Sequence, residues 1–143
     1  MIDLKFFYQQ NKPCKAREAI ITSLTNSIAQ IIELPKSIEV CLYNLGQQTY
    51  GGVDKFIHNR IGINYSLDVY DIPSILAHEL LHIHQFHIGN LKIKNDVYYW
   101  HDVPYTNVSN TTSLQEYKCF PWEIDARERV DKLLTEAMLL SKV

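Results

Sequence analysis

Two histidines four residues apart, His78 and His82, have the spacing that most directly suggests chemistry in this sequence. On an α-helix such a pair stands on one face, one turn apart, so both imidazoles can bind the same cation. Glu79 lies about 100° around that helix. Its carboxylate could take a proton from a water molecule at the metal without being a ligand itself. The alternative is a solvated helix face that is rich in histidine, since His84 and His87 follow closely.

A zinc site of this kind usually has three protein ligands, so a third must come from elsewhere in the chain. In metzincins the motif continues with Gly at position 85 and His at position 88. This sequence has Gln85 and Ile88 at those positions, which excludes the metzincin branch. Glu123 is the best remaining candidate, because it shares an inward-facing stripe with Ala126 and Val130. A carboxylate facing the core is costly unless a cation meets it. The alternative is a first-turn glutamate favoured by the helix dipole.

The elements that must position these residues follow from hydrophobic periodicity and from breaker residues. Asp71 is the predicted N-cap of the histidine helix, and Gly89 with Asn90 is its predicted stop. Leu76, Leu80 and Ile83 should anchor that helix in the core. The pattern predicts strands at residues 1–8, 38–45, 50–57 and 60–65, helices at 14–34, 73–88 and 121–140, one or two short strands at 91–100, and a long loop at 101–119.

This order predicts an α+β fold in which helices pack on a small mixed sheet, as one domain over residues 1–143. The 143 residues are 46% hydrophobic and 21% charged, an ordinary globular composition. A net charge of −2 without a Lys/Arg cluster argues against a nucleic-acid partner, and no apolar run is long enough for a membrane span. Three widely spaced cysteines and no signal-peptide pattern predict reduced thiols in a cytoplasmic protein.

The histidine motif, with Gln85 three residues after His82, is followed some forty residues later by Pro-Trp-Glu-Ile-Asp-Ala at residues 121–126. This combination resembles the gluzincin branch of the zincin metallopeptidases, and most closely the small minigluzincins. Similar stand-alone domains are often encoded by phages and prophages, in which case the compartment is the host cytoplasm. The resemblance covers roughly residues 71–132. It implies a zincin-like fold and one Zn²⁺ per chain on His78, His82 and Glu123, with Glu79 as the catalytic base.

The chain departs from the longer thermolysin-like pattern, which has an Asp four residues after the ligand Glu where this sequence has Arg127. In such folds a substrate adds as a strand to the sheet edge, and residues 60–67 are the candidate edge. His101, Tyr105 and Tyr117 lie between the ligands and could donate a hydrogen bond to an oxyanion, although packing is the commoner role of such residues. Asp125 should pair with Arg129 one helical turn later.

The leading hypothesis is therefore a zinc-dependent metallopeptidase that acts on a peptide or protein substrate. The alternative is a catalytically silent zincin-fold protein that keeps its metal for structure and acts as a binding or regulatory module. The small size of the chain favours the second hypothesis, because it leaves little surface for a cleft. The presence of Glu79 favours the first, because a structural site needs ligands but no base. A DNA-binding zinc module is disfavoured by the lack of cysteine pairs and of a basic face.

Overall fold

The structure is a computed structural model that describes residues 1–9, 12–43, 51–106, 108 and 114–141. It contains seven strands and four helices in these residues. In chain order they are β1 (Asp3–Tyr8), α1 (Lys15–Ala29), β2 (Ser37–Tyr43), β3 (Gly51–Val53), β4 (Arg60–Asn64), α2 (Ile72–His87), β5 (Leu91–Lys94), β6 (Val97–Trp100), β7 (Val103–Tyr105), α3 (Leu114–Lys118) and α4 (Pro121–Ser141).

The larger sheet has the strand order β1-β2-β4-β3. The first three of these strands are parallel, and β3 is antiparallel to β4. The predicted α+β class with a mixed sheet is thus confirmed. The prediction that residues 60–67 form the sheet edge is wrong, because β4 lies between β2 and β3 and both its sides are paired. Among the strands that the structure describes, β3 occupies that edge.

The buried side chains of this sheet form one core with those of α1, α2 and α4, and α4 packs on α1 and α2. On β2, the residues Ile38, Val40 and Leu42 are fully buried, while the alternating Glu39 and Cys41 are only partly buried. This period of two is that of a strand with one covered face. The core contains side chains from all three helices, among them the predicted anchors of α2 and the predicted inward residues of α4: Ile21, Leu24, Ile28, Leu76, Leu80, Ile83, Ala126, Leu133 and Ala137.

The helix that carries the two histidines runs over residues 72–87, close to its predicted bounds. Gly89 adopts a φ of +85° and ends it, as its predicted role requires. Asp71 stands at the N-cap position as predicted, although its backbone is helical and its side chain makes no capping hydrogen bond. Among the described residues, no helix is long and apolar enough to cross a membrane.

Other boundaries also differ from the sequence prediction. Helix α1 ends at Ala29 rather than at residue 34, and the chain turns there through hydrogen bonds from the amides of Ile31 and Ile32 to the carbonyl of Ile28. Strand β3 ends at Val53 because the Asp54 carboxylate accepts hydrogen bonds from two amides that follow it and closes a turn. The predicted strand residues 44, 45 and 50 lie outside the described residues.

The second sheet consists of β5, β6 and β7, all antiparallel. One or two short strands were predicted at 91–100, and the structure has two, β5 and β6, whereas the loop predicted at 101–119 contains β7 and α3. Both hairpins turn on two residues with positive φ, Asn95-Asp96 and His101-Asp102, the signature of a type I′ turn. An aromatic cluster around Trp122 joins this sheet to the start of α4, with Tyr98 and Phe120 stacked on the indole and Tyr105 against its edge.

Candidate metal centre

Helix α2 presents His78 and His82 one turn apart with their rings nearly perpendicular, at a centroid distance of 4.7 Å. Their Nε2 atoms are 3.1 Å apart. The opposite side of the helix is anchored in the core, so the histidine face is directed toward α4. His82 is buried and His78 is partly exposed. His82 is therefore the buried histidine of the pair, and His78 is the one nearer to solvent.

Glu123 comes to these imidazoles from the first turn of α4. Its Oε1 lies 3.3 Å from Nε2 of His78, and its Oε2 lies 2.5 Å from Nε2 of His82. One ligand atom from each of the three residues lies within 4.8 Å of the others. The structure thus brings together all three residues that the sequence singled out, and this group could hold a metal ion.

The donor atoms fit a small cation. In a tetrahedral site with bonds of about 2.0–2.1 Å, two ligand atoms are separated by about 3.3 Å. The separations of 3.1 Å and 3.3 Å that involve His78 match this value. Glu123 is 4% exposed, and its Oε2 lies 2.5 Å from Nε2 of His82 outside hydrogen-bond geometry. A buried carboxylate is costly unless a positive group meets it, and a cation between the three residues would do so.

The two buried ligands, Glu123 and His82, shift each other's pKa through their opposite charges. Burial by itself would raise the pKa of Glu123, but the imidazoles of His78 and His82 outweigh it and lower that pKa to about 2. Burial would likewise lower the pKa of His82, but the Glu123 carboxylate raises it to about 9. Without a metal, Glu123 is therefore ionised and His82 is protonated at neutral pH. The Glu123 carboxylate is already in the ionised state that a metal ligand requires, whereas His82 must release a proton before it can bind a metal.

A hydrogen-bond chain behind His82 sets the orientation of its ring. Gln85 is fully buried and donates through Nε2 to the Trp122 carbonyl and to Oδ2 of Asp125, at 3.0 Å and 2.8 Å. Its Oε1 therefore faces Nδ1 of His82, 2.8 Å away, and accepts a hydrogen bond from the N–H group at that nitrogen. In the neutral ring the Nε2 lone pair is then free for a metal. The sequence showed Gln85 in the motif but not this role.

The predicted pair of Asp125 with Arg129 is confirmed at 3.1 Å. The same Asp125 carboxylate also accepts the bond from Gln85, so it belongs to the support of the site as well. His84 has a structural role, because its Nδ1 lies 2.7 Å from the carbonyl of Glu33 and joins α2 to the turn after α1. His87 is exposed on the last turn of α2.

Glu79 is buried beside this cluster, with 7% of its surface exposed. Burial raises the pKa of its carboxyl group, His82 and His78 lower it, and Glu123 raises it, with a net upward shift. Glu79 is not among the three grouped ligands. Its side chain also lies under the edge strand, because a Cβ added to Gly51 would come within 3.5 Å of Cγ of Glu79.

A cavity of about 90 Å³ lies beside three buried residues that line it, Glu79, His82 and Glu123. Tyr117 of α3 is the one of the three predicted oxyanion donors that lines it. Burial is the main reason why the pKa of Tyr117 is raised. Tyr105 instead packs on Trp122, and His101 is exposed in a hairpin turn.

The arrangement has the parts for metal-assisted hydrolysis: two imidazoles and a carboxylate that converge, a separate buried carboxylate, and a cavity that reaches them both. Because these groups come from α2, α3 and α4, the site depends on how those helices pack. Comparisons with models of protein families, with curated proteins and with solved structures gave no match to this chain.

Proposed function

We propose that this protein is a zinc-dependent metallopeptidase with a zincin-like fold of the gluzincin branch. The observation that carries the proposal is the buried Glu79 carboxylate, which lies beside the His78, His82 and Glu123 cluster and lines the same cavity as His82 and Glu123. Two histidines and one glutamate are a ligand set that catalytic zinc uses, and this set leaves a coordination position open. A purely structural site would have no need of an additional buried carboxylate.

His78, His82 and Glu123 would hold one Zn²⁺ per chain. The ion, when bound, supplies a Lewis acid that lowers the pKa of a coordinated water to about 7. Glu79 then acts as the general base, accepts a proton from water and delivers it to the leaving amine. Burial raises the pKa of its carboxyl group, and a carboxylate with a raised pKa is a stronger base toward water. Gln85 keeps the His82 ring in its ligating orientation.

The edge strand β3 gives a peptide a place to bind. Among the strands that the structure describes, β3 is paired only with β4, so its other side can pair with an extended chain, in the mode known as β-augmentation. Gly51, at the start of β3, passes close over Ile75 and Glu79 of α2, so a peptide paired with this strand would lie near the metal ligands. We assign substrate alignment to β3 and not to residues 60–67, because β4 at residues 60–64 is paired on both sides.

The decisive variant is Glu79→Gln, which keeps the size of the side chain but cannot accept a proton. We expect it to retain zinc and fold, measured by elemental analysis and circular dichroism. Cleavage of a broad peptide library should fall by about 10²–10⁴-fold, the usual contribution of a positioned base. Glu128→Gln, an exposed position on α4, is the matched control and should cleave like the wild type.

Two outcomes would contradict the proposal in different ways. If the zinc-loaded wild type cleaves no peptide in the library, the alternative of a catalytically silent binding or regulatory module takes its place. If both the wild type and Glu79→Gln cleave equally well, hydrolysis stands but the assignment of Glu79 as the base is wrong.

A further inference from the structure

Strand β1 forms the second edge of the larger sheet, at the end opposite β3. Among the described strands it pairs only with β2, in parallel register. The amide of Asp3 donates to the carbonyl of Lys36 at 2.8 Å, so the odd-numbered residues of β1 direct their backbone groups toward β2. Because this direction alternates along a strand, the amides and carbonyls of Leu4 and Phe6 point away from the sheet. Another strand could pair with them.

The core-facing side chains of β1 are less buried than their neighbours on β2. In the register of the two strands, Leu4 lies opposite Ile38 and Phe6 lies opposite Val40. Both β2 residues are fully buried, whereas Leu4 and Phe6 are only partly buried, although they pack against the same core. The apolar surface that stays exposed at this edge would be covered by a further strand, and its removal from water favours association.

The opposite face of β1 carries two exposed charges of opposite sign, Asp3 and Lys5. Neither side chain forms an ion pair with another residue in the described part of the chain. Glu39, which lies opposite Lys5 on β2, is bound instead to Arg60 at 2.7 Å. A lysine at a sheet edge usually discourages a second strand. Here an aspartate two residues away can supply the counter-charge, and β1 contains no proline that would block pairing.

We propose that β1 pairs antiparallel with β1 of a second copy of this chain, which makes a two-fold symmetric dimer with one continuous sheet. A two-fold axis at Leu4 places Asp3 of each copy opposite Lys5 of the other. Opposite charges in directly facing positions stabilise a strand pair. The same surface serves both copies, as a closed two-fold interface requires. On the core side, Leu4 then faces Leu4 of the second copy.

The backbone groups of β1 suit this register. The amides of Leu4 and Phe6 donate to the carbonyls of Leu4 and Ile2 of the second copy. The amide of Ile2 is not needed, and it already donates to Oδ1 of Asn26 at 2.9 Å. The outward backbone groups of β1 are thus either used in the pair or satisfied within the chain at this end of the strand.

The charges select this register over its neighbours. An axis at Lys5 would bring the two ammonium groups together, and like charges in facing positions are destabilising. An axis at Phe6 would place Lys5 opposite Phe7 and leave its charge without a counter-ion. A shift by one residue would place core-facing side chains opposite outward-facing ones. The dimer also leaves β3 open in both copies, because it uses the other edge of the sheet.

The test is the mass of the full chain in solution, measured by sedimentation equilibrium at micromolar concentrations. We expect twice the 16.7 kDa of one copy. Asp3→Lys and Lys5→Asp each bring like charges together, so each should raise the dissociation constant of the dimer by about tenfold or more. Both positions are exposed, and circular dichroism should be unchanged. Asp131→Lys, at an exposed position on α4, is the control and should dimerise like the wild type.

An equimolar mixture of Asp3→Lys and Lys5→Asp is the decisive sample. In the mixed dimer, the two positive positions of one variant face the two negative positions of the other. The mixture should therefore dimerise with a dissociation constant close to that of the wild type. This recovery would also show that each variant is folded.

Three results would overturn the proposal. One is a wild-type chain that stays monomeric up to millimolar concentration. Another is a dimer that both substitutions leave intact, or that the mixture does not restore, because such a dimer uses another surface. The third is a mass that keeps rising beyond two copies, which would indicate open-ended pairing of β1 with β3. These measurements need neither zinc nor peptide cleavage, so they are independent of the proposed metallopeptidase function.

Discussion

At the scale of single residues, the feature with most consequence is how the His82 ring is fixed. A histidine can bind a metal through Nε2 only if that nitrogen carries no proton, and the hydrogen bond at Nδ1 decides this. Gln85 accepts that bond because its amide nitrogen is already committed to Asp125 and to the Trp122 carbonyl. The orientation of one buried amide therefore determines the orientation of a metal ligand.

Gln85→Leu should weaken zinc binding by about 10–100-fold, the usual effect of removing a partner of a ligating histidine. Leucine preserves the volume, so the loss comes from the missing hydrogen bonds rather than from a cavity. Competition with a chromophoric chelator measures the affinity. Gln115→Leu, exposed on α3, is the control. Unchanged zinc affinity in Gln85→Leu would mean that the amide does not set the ring orientation.

At the scale of secondary-structure elements, the edge strand β3 depends on a close approach to its neighbours. A Cβ on Gly51 would lie 2.9 Å from the Gly62 carbonyl oxygen and 3.0 Å from Cγ2 of Ile75, both too near for an ordinary contact. A Cβ on the adjacent Gly52 would meet no atom within 4 Å. The first glycine therefore lets β3 lie against β4 and α2, and the second does not have that role.

We expect Gly51→Ala to lower the free energy of unfolding by about 1–3 kcal/mol, the usual cost of inserting a methyl group into a packed contact. It should also reduce peptide cleavage, because the strand must shift relative to Glu79. Gly52→Ala should change the stability by no more than about 0.5 kcal/mol, as surface substitutions usually do. Urea unfolding followed by circular dichroism compares the two, and equal effects would show that the close approach is unimportant.

At the scale of the whole molecule, a metal would join helices that are remote in sequence. His78 and Glu123 are 45 residues apart and belong to α2 and α4, which pack against each other in the core. An ion that binds only the folded arrangement stabilises it by mass action. At neutral pH the metal must also displace the proton of His82, whose pKa is raised to about 9 by Glu123 in the metal-free protein.

Zinc at one hundred times its dissociation constant should therefore raise the unfolding free energy by about 2.7 kcal/mol. The gain should shrink as the pH falls below about 9, because protons then compete with the metal for His82, whose pKa is raised to that value in the metal-free protein. Thermal unfolding with zinc and with a chelator, at several pH values, measures both effects. Glu123→Ala should lose most of the gain. A melting temperature that is the same with zinc and with chelator would contradict a site that bridges α2 and α4.

The sequence by itself determined the features that depend on local pattern. Spacing of four along one helix placed His78 and His82 on a common face, and Gly89 ended that helix. Glu123 could be selected because periodicity along α4 put it on the inward stripe with Ala126. In each case the relevant neighbours are within two helical turns, so regular helix geometry converts sequence spacing directly into position.

Only the tertiary structure decided the features that depend on pairing between distant segments. Which strand forms the edge follows from how β3 pairs with β4, and residues 60–67 have the alternating pattern of a strand at the edge or in the interior. The role of Gln85 requires Asp125, forty residues away, to meet it across two helices. The cavity at Glu79, His82 and Glu123 is lined in part by the second sheet, which packs near α2 and α4. Local periodicity could not predict this contact, because it joins segments that are distant in the sequence.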